Sequence, residues 1–150
     1  MNPNATENPQ EKTSKPICRY ITIILRTLLG LLFVMTGLMY FLHMMPQPKP
    51  GEMPAGAEAF SGALMTTGYM MPLIMGTQLL AGLLLVSNSF VPLALTIIAP
   101  IIVGIITFHA FLAPSGLVMA IVVLIIELYL AWAYRNAFRP MLAFRARHGC

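Results

Sequence analysis

The chain has 150 residues, 58% of them apolar and only 9% charged, with a mean hydropathy of +0.79. Soluble domains carry about 25% charged residues, so this composition excludes an ordinary soluble protein and indicates an integral membrane one. The net charge of +4 does not indicate nucleic acid, because the basic residues sit at the two chain ends beside apolar segments, with no basic stripe carrying interleaved aromatics.

Residues 1 to 18, MNPNATENPQEKTSKPIC, have almost nothing to bury and read as a disordered, solvated tail. Residues 19 to 142 form one membrane domain, and 143 to 150 a basic tail. The first apolar segment, Tyr20 to Met45, has no convincing small-residue cleavage site after it and reads as a retained helix. Arg26 lies about 9 Å in from its start at 1.5 Å per residue. Arg26, Gly30, Phe33, Gly37 and Tyr40 fall along one face, with Thr36 and His43 on its flank. Gly30 and Gly37, two turns apart, suit close helix contact.

Pro46 to Gly56 is too proline-rich for regular helix, and Ala57 to Tyr69 is too short and polar to span, so it predicts a short interfacial helix. Met70 to Val86 is the second span, with Gln78 on the face shared by Met71, Met75 and Gly82. Ser87 to Phe90 is a tight turn. Val91 to Leu112 is the third span, which Pro100 should kink, with His109 near its far end. Ala113 to Gly116 turns into the fourth span, which begins at Leu117 and runs through LVMAIVVLIIELYLAWAYRNAFRP. Glu127 stands alone in that apolar run. A charge there costs at least ~2.5 kcal/mol on insertion scales, so it needs a partner. Ala120, Leu124, Glu127, Ala131 and Tyr134 share a face, which aims Glu127 at other helices.

The fold expected is therefore all-α: a polytopic four-helix bundle in the lipid bilayer with one short interfacial helix. Lys12, Lys15 and Arg19 at one end and Arg135, Arg139, Arg145 and Arg147 at the other place both termini in the cytoplasm by the positive-inside rule.

The candidate chemistry falls into two groups. Arg26 and Glu127 lie at similar depth and predict a buried ion pair between the first and fourth spans, which either fixes helix register or serves a proton relay or quinol site. Tyr40, His43 and His109 lie toward the other end, with Gln78 somewhat deeper. Two histidines could hold a b-type haem, or hydrogen-bond a quinone carbonyl and exchange its proton, since imidazole titrates in the neutral range. A belt of hydrogen-bonded residues without a ligand is the plainer alternative. Cys18 and Cys150 form no C-x-x-C, which sets aside thiol oxidases and zinc knuckles. No metal site is indicated.

LRTLLGLLFVMTGLMYF, AFSGALMTTGYMMPLIMGTQLLAGLLLV, FVPLALTIIAPIIVGIITFHAFL and IIELYLAWAYRNAFRPML, taken in order over residues 20 to 142, resemble the DoxX family of membrane proteins. The resemblance implies a four-helix bundle in the bacterial cytoplasmic membrane. It also implies a small subunit of a quinone-linked oxidoreductase, with a redox partner subunit. Many relatives carry a lysine after the glycine of the first helix, where this chain reads Gly37-Leu38-Met39-Tyr40. Many also carry a glutamate where Gln78 stands. Those two departures remove an intramembrane acid–base pair. A non-catalytic scaffold, whose polar residues only specify packing, is the competing expectation. Transport would need a homo-oligomer to supply a polar path across both leaflets.

Overall fold

The computed structural model describes residues 11–46, 49 and 51–138. Among them, six α-helices run in order: α1 (Glu11–Phe41), α2 (Ala55–Thr66), α3 (Met70–Val86), α4 (Val91–Phe111), α5 (Leu117–Ala133) and the short α6 (Arg135–Phe138), with a 3-10 turn at Pro114–Gly116. No strand occurs among the described residues. α1 lies beside α3 and α5, and α4 beside the same two, so the four long helices close into a ring.

Sequence chemistry explains the ring. On α1 the buried residues Arg26, Leu29, Gly30, Phe33 and Gly37 recur at helical spacing, while Leu28, Leu31 and Met35 face outward. On α5 the buried stripe is Ala120, Val123, Glu127 and Leu130. The core joins Leu29 and Phe33 to Ala81 and Leu85 of α3, to Leu95, Ile98 and Ile102 of α4, and to Val123 and Leu130 of α5. Apolar side chains also cover the outside: Leu73, Leu80, Val103, Val122, Ile125 and Leu128 are all exposed. Water would not tolerate that surface, whereas hydrocarbon does.

Glycine sets the closest approach. A Cβ on Gly82 would stand 2.8 Å from the Gly30 carbonyl oxygen and 2.8 Å from the Val34 nitrogen, and one on Gly30 would stand 3.0 Å from the Gly82 oxygen. Further along, a Cβ on Gly37 would stand 2.9 Å from the Met75 oxygen. The pairing of Gly30 with Gly82 and Gly37 with Met75 makes α1 and α3 antiparallel. Hydroxyls within the helices turn back on their own backbone: Thr77 donates to the Leu73 oxygen at 2.7 Å, Thr96 to Pro92 at 2.8 Å and Thr107 to Val103 at 3.0 Å. In a solvent that accepts no hydrogen bonds, this satisfies a threonine locally.

Three segments are long and apolar enough to cross a membrane: Ile17–Phe41, Val91–Phe111 and Pro114–Ala133. α3, with 17 residues, stands at the lower limit of about 17 for a span. α2 meets α3 at 90°, the geometry expected of an interfacial segment beside a span. Phe60 of α2 rests on Phe108 of α4 with ring centroids 5.7 Å apart.

The polar tail is shorter than the sequence suggests. α1 begins at Glu11, so residues 11 to 18 are helical and not disordered. An apolar helix has already formed the costly first turn, and each added residue contributes a hydrogen bond. Residues 1–10 and the tail at 143–150 lie outside the described residues. Pro100 is accommodated inside an unbroken α4 and faces outward, so its missing N–H leaves the Thr96 carbonyl without its helical partner.

Candidate functional site

Two cavities lie between the helices, one toward each end of the bundle. The first, of about 350 Å³, is lined by Phe33 and Thr36 of α1, Gln78 of α3, Ile105 and His109 of α4, and Ala120 and Val123 of α5, among others. Its wall is mostly apolar, with Thr36, Gln78 and His109 as the polar groups. Leu32 and Met119, both exposed on the outside of the bundle, form part of its rim.

Each polar group is held. Gln78 is only 6% exposed. The Thr36 hydroxyl lies 3.1 Å from Gln78 Oε1 and 3.1 Å from the Leu32 carbonyl, linking α1 to α3. The Gln78 amide nitrogen makes no hydrogen bond among the described residues. His109 Nδ1 sits 3.0 Å from the Ala113 carbonyl. A carbonyl only accepts, so Nδ1 is the donor in this contact, and in the neutral ring Nε2 is then the acceptor. The ring packs on Gly116, where a Cβ would collide with Cε1 and Nδ1. It also meets Phe108 edge-on at 5.3 Å. The cavity thus offers amide N–H groups at Gln78 and an acceptor at His109 Nε2.

The sequence placed Gln78 and His109 in one group, and the structure brings them to one cavity. It does not bring His43 or Tyr40 there. His43 is exposed just past α1, with φ of +56°, and Tyr40 is half-buried with its ring edge-on to Phe41 at 5.4 Å. The two histidines therefore do not face each other across this cavity as a haem's axial pair would. Gly116 escaped the sequence reading, because its contact with His109 spans a turn and follows no helical period.

Arg26 and Glu127 are both buried, at 7% and 5% exposure. The ion pair expected between them is not formed: Arg26 Nε and Glu127 Oε2 each lack a hydrogen-bond partner, and no salt bridge joins the two. Arg26 lines the second cavity, a cleft of about 490 Å³ at the end of the bundle where α1 begins and α5 ends, and Glu127 does not. A long side chain sends its charged head toward the helix end, while the shorter carboxylate stays at the depth of its backbone.

No family model matches the chain, and no curated protein or solved structure does either.

Proposed function

We propose that this is a DoxX-like membrane protein acting as a small subunit of a quinone-linked oxidoreductase in the bacterial cytoplasmic membrane, with both termini in the cytoplasm. One observation carries the reading: Gln78 and His109 share an apolar cavity whose rim reaches the lipid-facing surface. Ligand sites of this kind are mostly apolar, a few hundred Å³ in volume, and use a few polar groups to fix orientation. A quinone ring fits that description. The Gln78 amide would donate to a ring carbonyl, and His109 Nε2 would accept from the hydroxyl of the reduced form. Leu32 and Met119 leave room for an isoprenoid tail to lie in the membrane.

When bound, a quinone supplies two-electron, two-proton redox chemistry. This chain's share is to orient the ring, keep water from it through Phe33, Ile105 and Val123, and hold or release a proton at His109 Nε2. Electrons would come from a partner subunit. The scaffold reading is favoured by the Thr36–Gln78 contact, which joins two helices whether or not a ligand is present.

Mass spectrometry on the protein purified in mild detergent, before and after adding a short-chain quinone, separates the two readings. Near-stoichiometric quinone is expected in the wild type. Gln78→Leu and His109→Ala should each lower occupancy about tenfold, the effect of one lost hydrogen bond, with thermal unfolding little changed. Gly116→Ala should do the same by displacing the imidazole. A well-folded wild type that neither carries nor takes up quinone overturns the redox reading and leaves the scaffold.

A further inference from the structure

The cleft at the terminal end is built unlike the apolar cavity. Its wall carries three guanidinium groups, from Arg19 and Arg26 of α1 and Arg135 of α6, and no carboxylate among its described residues. Thr22, Asn88 and Tyr129 add hydroxyl and amide groups, while Ile23 and Trp132 supply an apolar side. Three like charges around one cleft repel each other, and nothing described within it balances them.

Two of these arginines are held in place. Arg135 lies over the Trp132 ring at 4.6 Å and donates to the Trp132 carbonyl at 3.3 Å. Arg26 is 93% buried, since only 7% of it is exposed, and its Nε has no hydrogen-bond partner. A buried, unpartnered guanidinium N–H costs a few kcal/mol unless something accepts it. Tyr129 is likewise fixed, its hydroxyl 3.2 Å from that of Thr22.

We propose that this cleft binds a phosphate group, and that Arg26, Arg19 and Arg135 are its ligands. Guanidinium forks match phosphate oxygens in pairs, and a phosphate would balance charges that no carboxylate among the described lining residues meets. The cleft sits where apolar helices end, at the depth of lipid headgroups, and the Ile23–Trp132 side suits the glycerol and upper acyl region of an anionic lipid. Basic pockets between membrane helices take lipid phosphates in this way. A soluble phosphate ester offers the same anion without the acyl chains. The site is separate from the quinone cavity and does not depend on it.

The test uses the full chain in mild detergent, stripped of lipid by prolonged washing. Native mass spectrometry follows added phosphatidylglycerol and, in parallel, phosphatidylcholine, and thermal unfolding is followed with inorganic phosphate. Phosphatidylglycerol adducts should exceed phosphatidylcholine adducts about tenfold, and Arg19→Gln and Arg135→Gln should each weaken them by a similar factor. These two side chains are exposed, so both variants fold even if Arg26→Gln does not. Lys49→Gln, at the other end of the bundle, should change nothing. Stabilisation by inorganic phosphate alone, lost in the arginine variants, keeps the site and assigns it to a soluble phosphate compound. Equal adducts for both lipids with no response to phosphate, or adducts unchanged by the arginine variants, would overturn the proposal.

Discussion

Gly30 and Gly82 show how little room separates the two most closely packed helices. A Cβ on Gly82 would meet two backbone atoms, the Gly30 oxygen and the Val34 nitrogen, each at 2.8 Å, and backbone cannot swing away. Gly82→Ala should therefore cost about 1–3 kcal/mol, the range for overpacking. Gly104→Ala, with nothing within 4 Å of its added Cβ, should be neutral or stabilise by about 0.5–1 kcal/mol through helix propensity. Reversible denaturation of both variants in detergent distinguishes the two effects. At this scale the sequence was partly informative. Helical period alone put Gly30, Gly37 and Gln78 on inward faces, because period is a property of single helices. It could not place Gly116 under His109, nor show that Arg26 and Glu127 form no ion pair. Those depend on side-chain direction and on contacts across turns.

The break between α2 and α3 belongs to the next scale. Gly68 holds φ of +76° there, with no neighbour that a methyl group would touch. Substitution by alanine is thus a test of backbone strain alone. Gly68→Ala should destabilise by about 1–2 kcal/mol, the cost of left-handed backbone for a residue with a Cβ. An unchanged unfolding midpoint would show instead that the bend relaxes. The elements themselves were legible, since long apolar runs and proline-rich breaks mark spans and loops directly. The start of α1 was not, because composition reports what a segment can bury and not whether a neighbouring helix extends through it.

For the whole molecule, the features that specify packing and those that specify surroundings are spatially distinct. Small residues, Arg26, Gln78 and Glu127 point inward, and a nearly continuous apolar surface points out. The orientation proposed above predicts the accessibility of Cys18, which is free and exposed beside the arginine cleft. In a Cys150→Ser background, a membrane-impermeant maleimide should label Cys18 in inverted vesicles and spare it in intact cells. Labelling from outside the cell would reverse the assigned topology. The bundle's members are also unequal in length. At 1.5 Å per residue α3 is about 26 Å long and α4 about 32 Å, beside a hydrocarbon core of about 30 Å. Lipid next to α3 must thin to match it, at a fraction of a kcal/mol per Å. α2, set at 90° to that end with Phe60 and Met65 exposed, would give thinned lipid there an apolar shelf. Hydrophobic mismatch is thus built into one side of the protein, and bilayer thickness becomes a term in its stability that biases it toward thinner membrane.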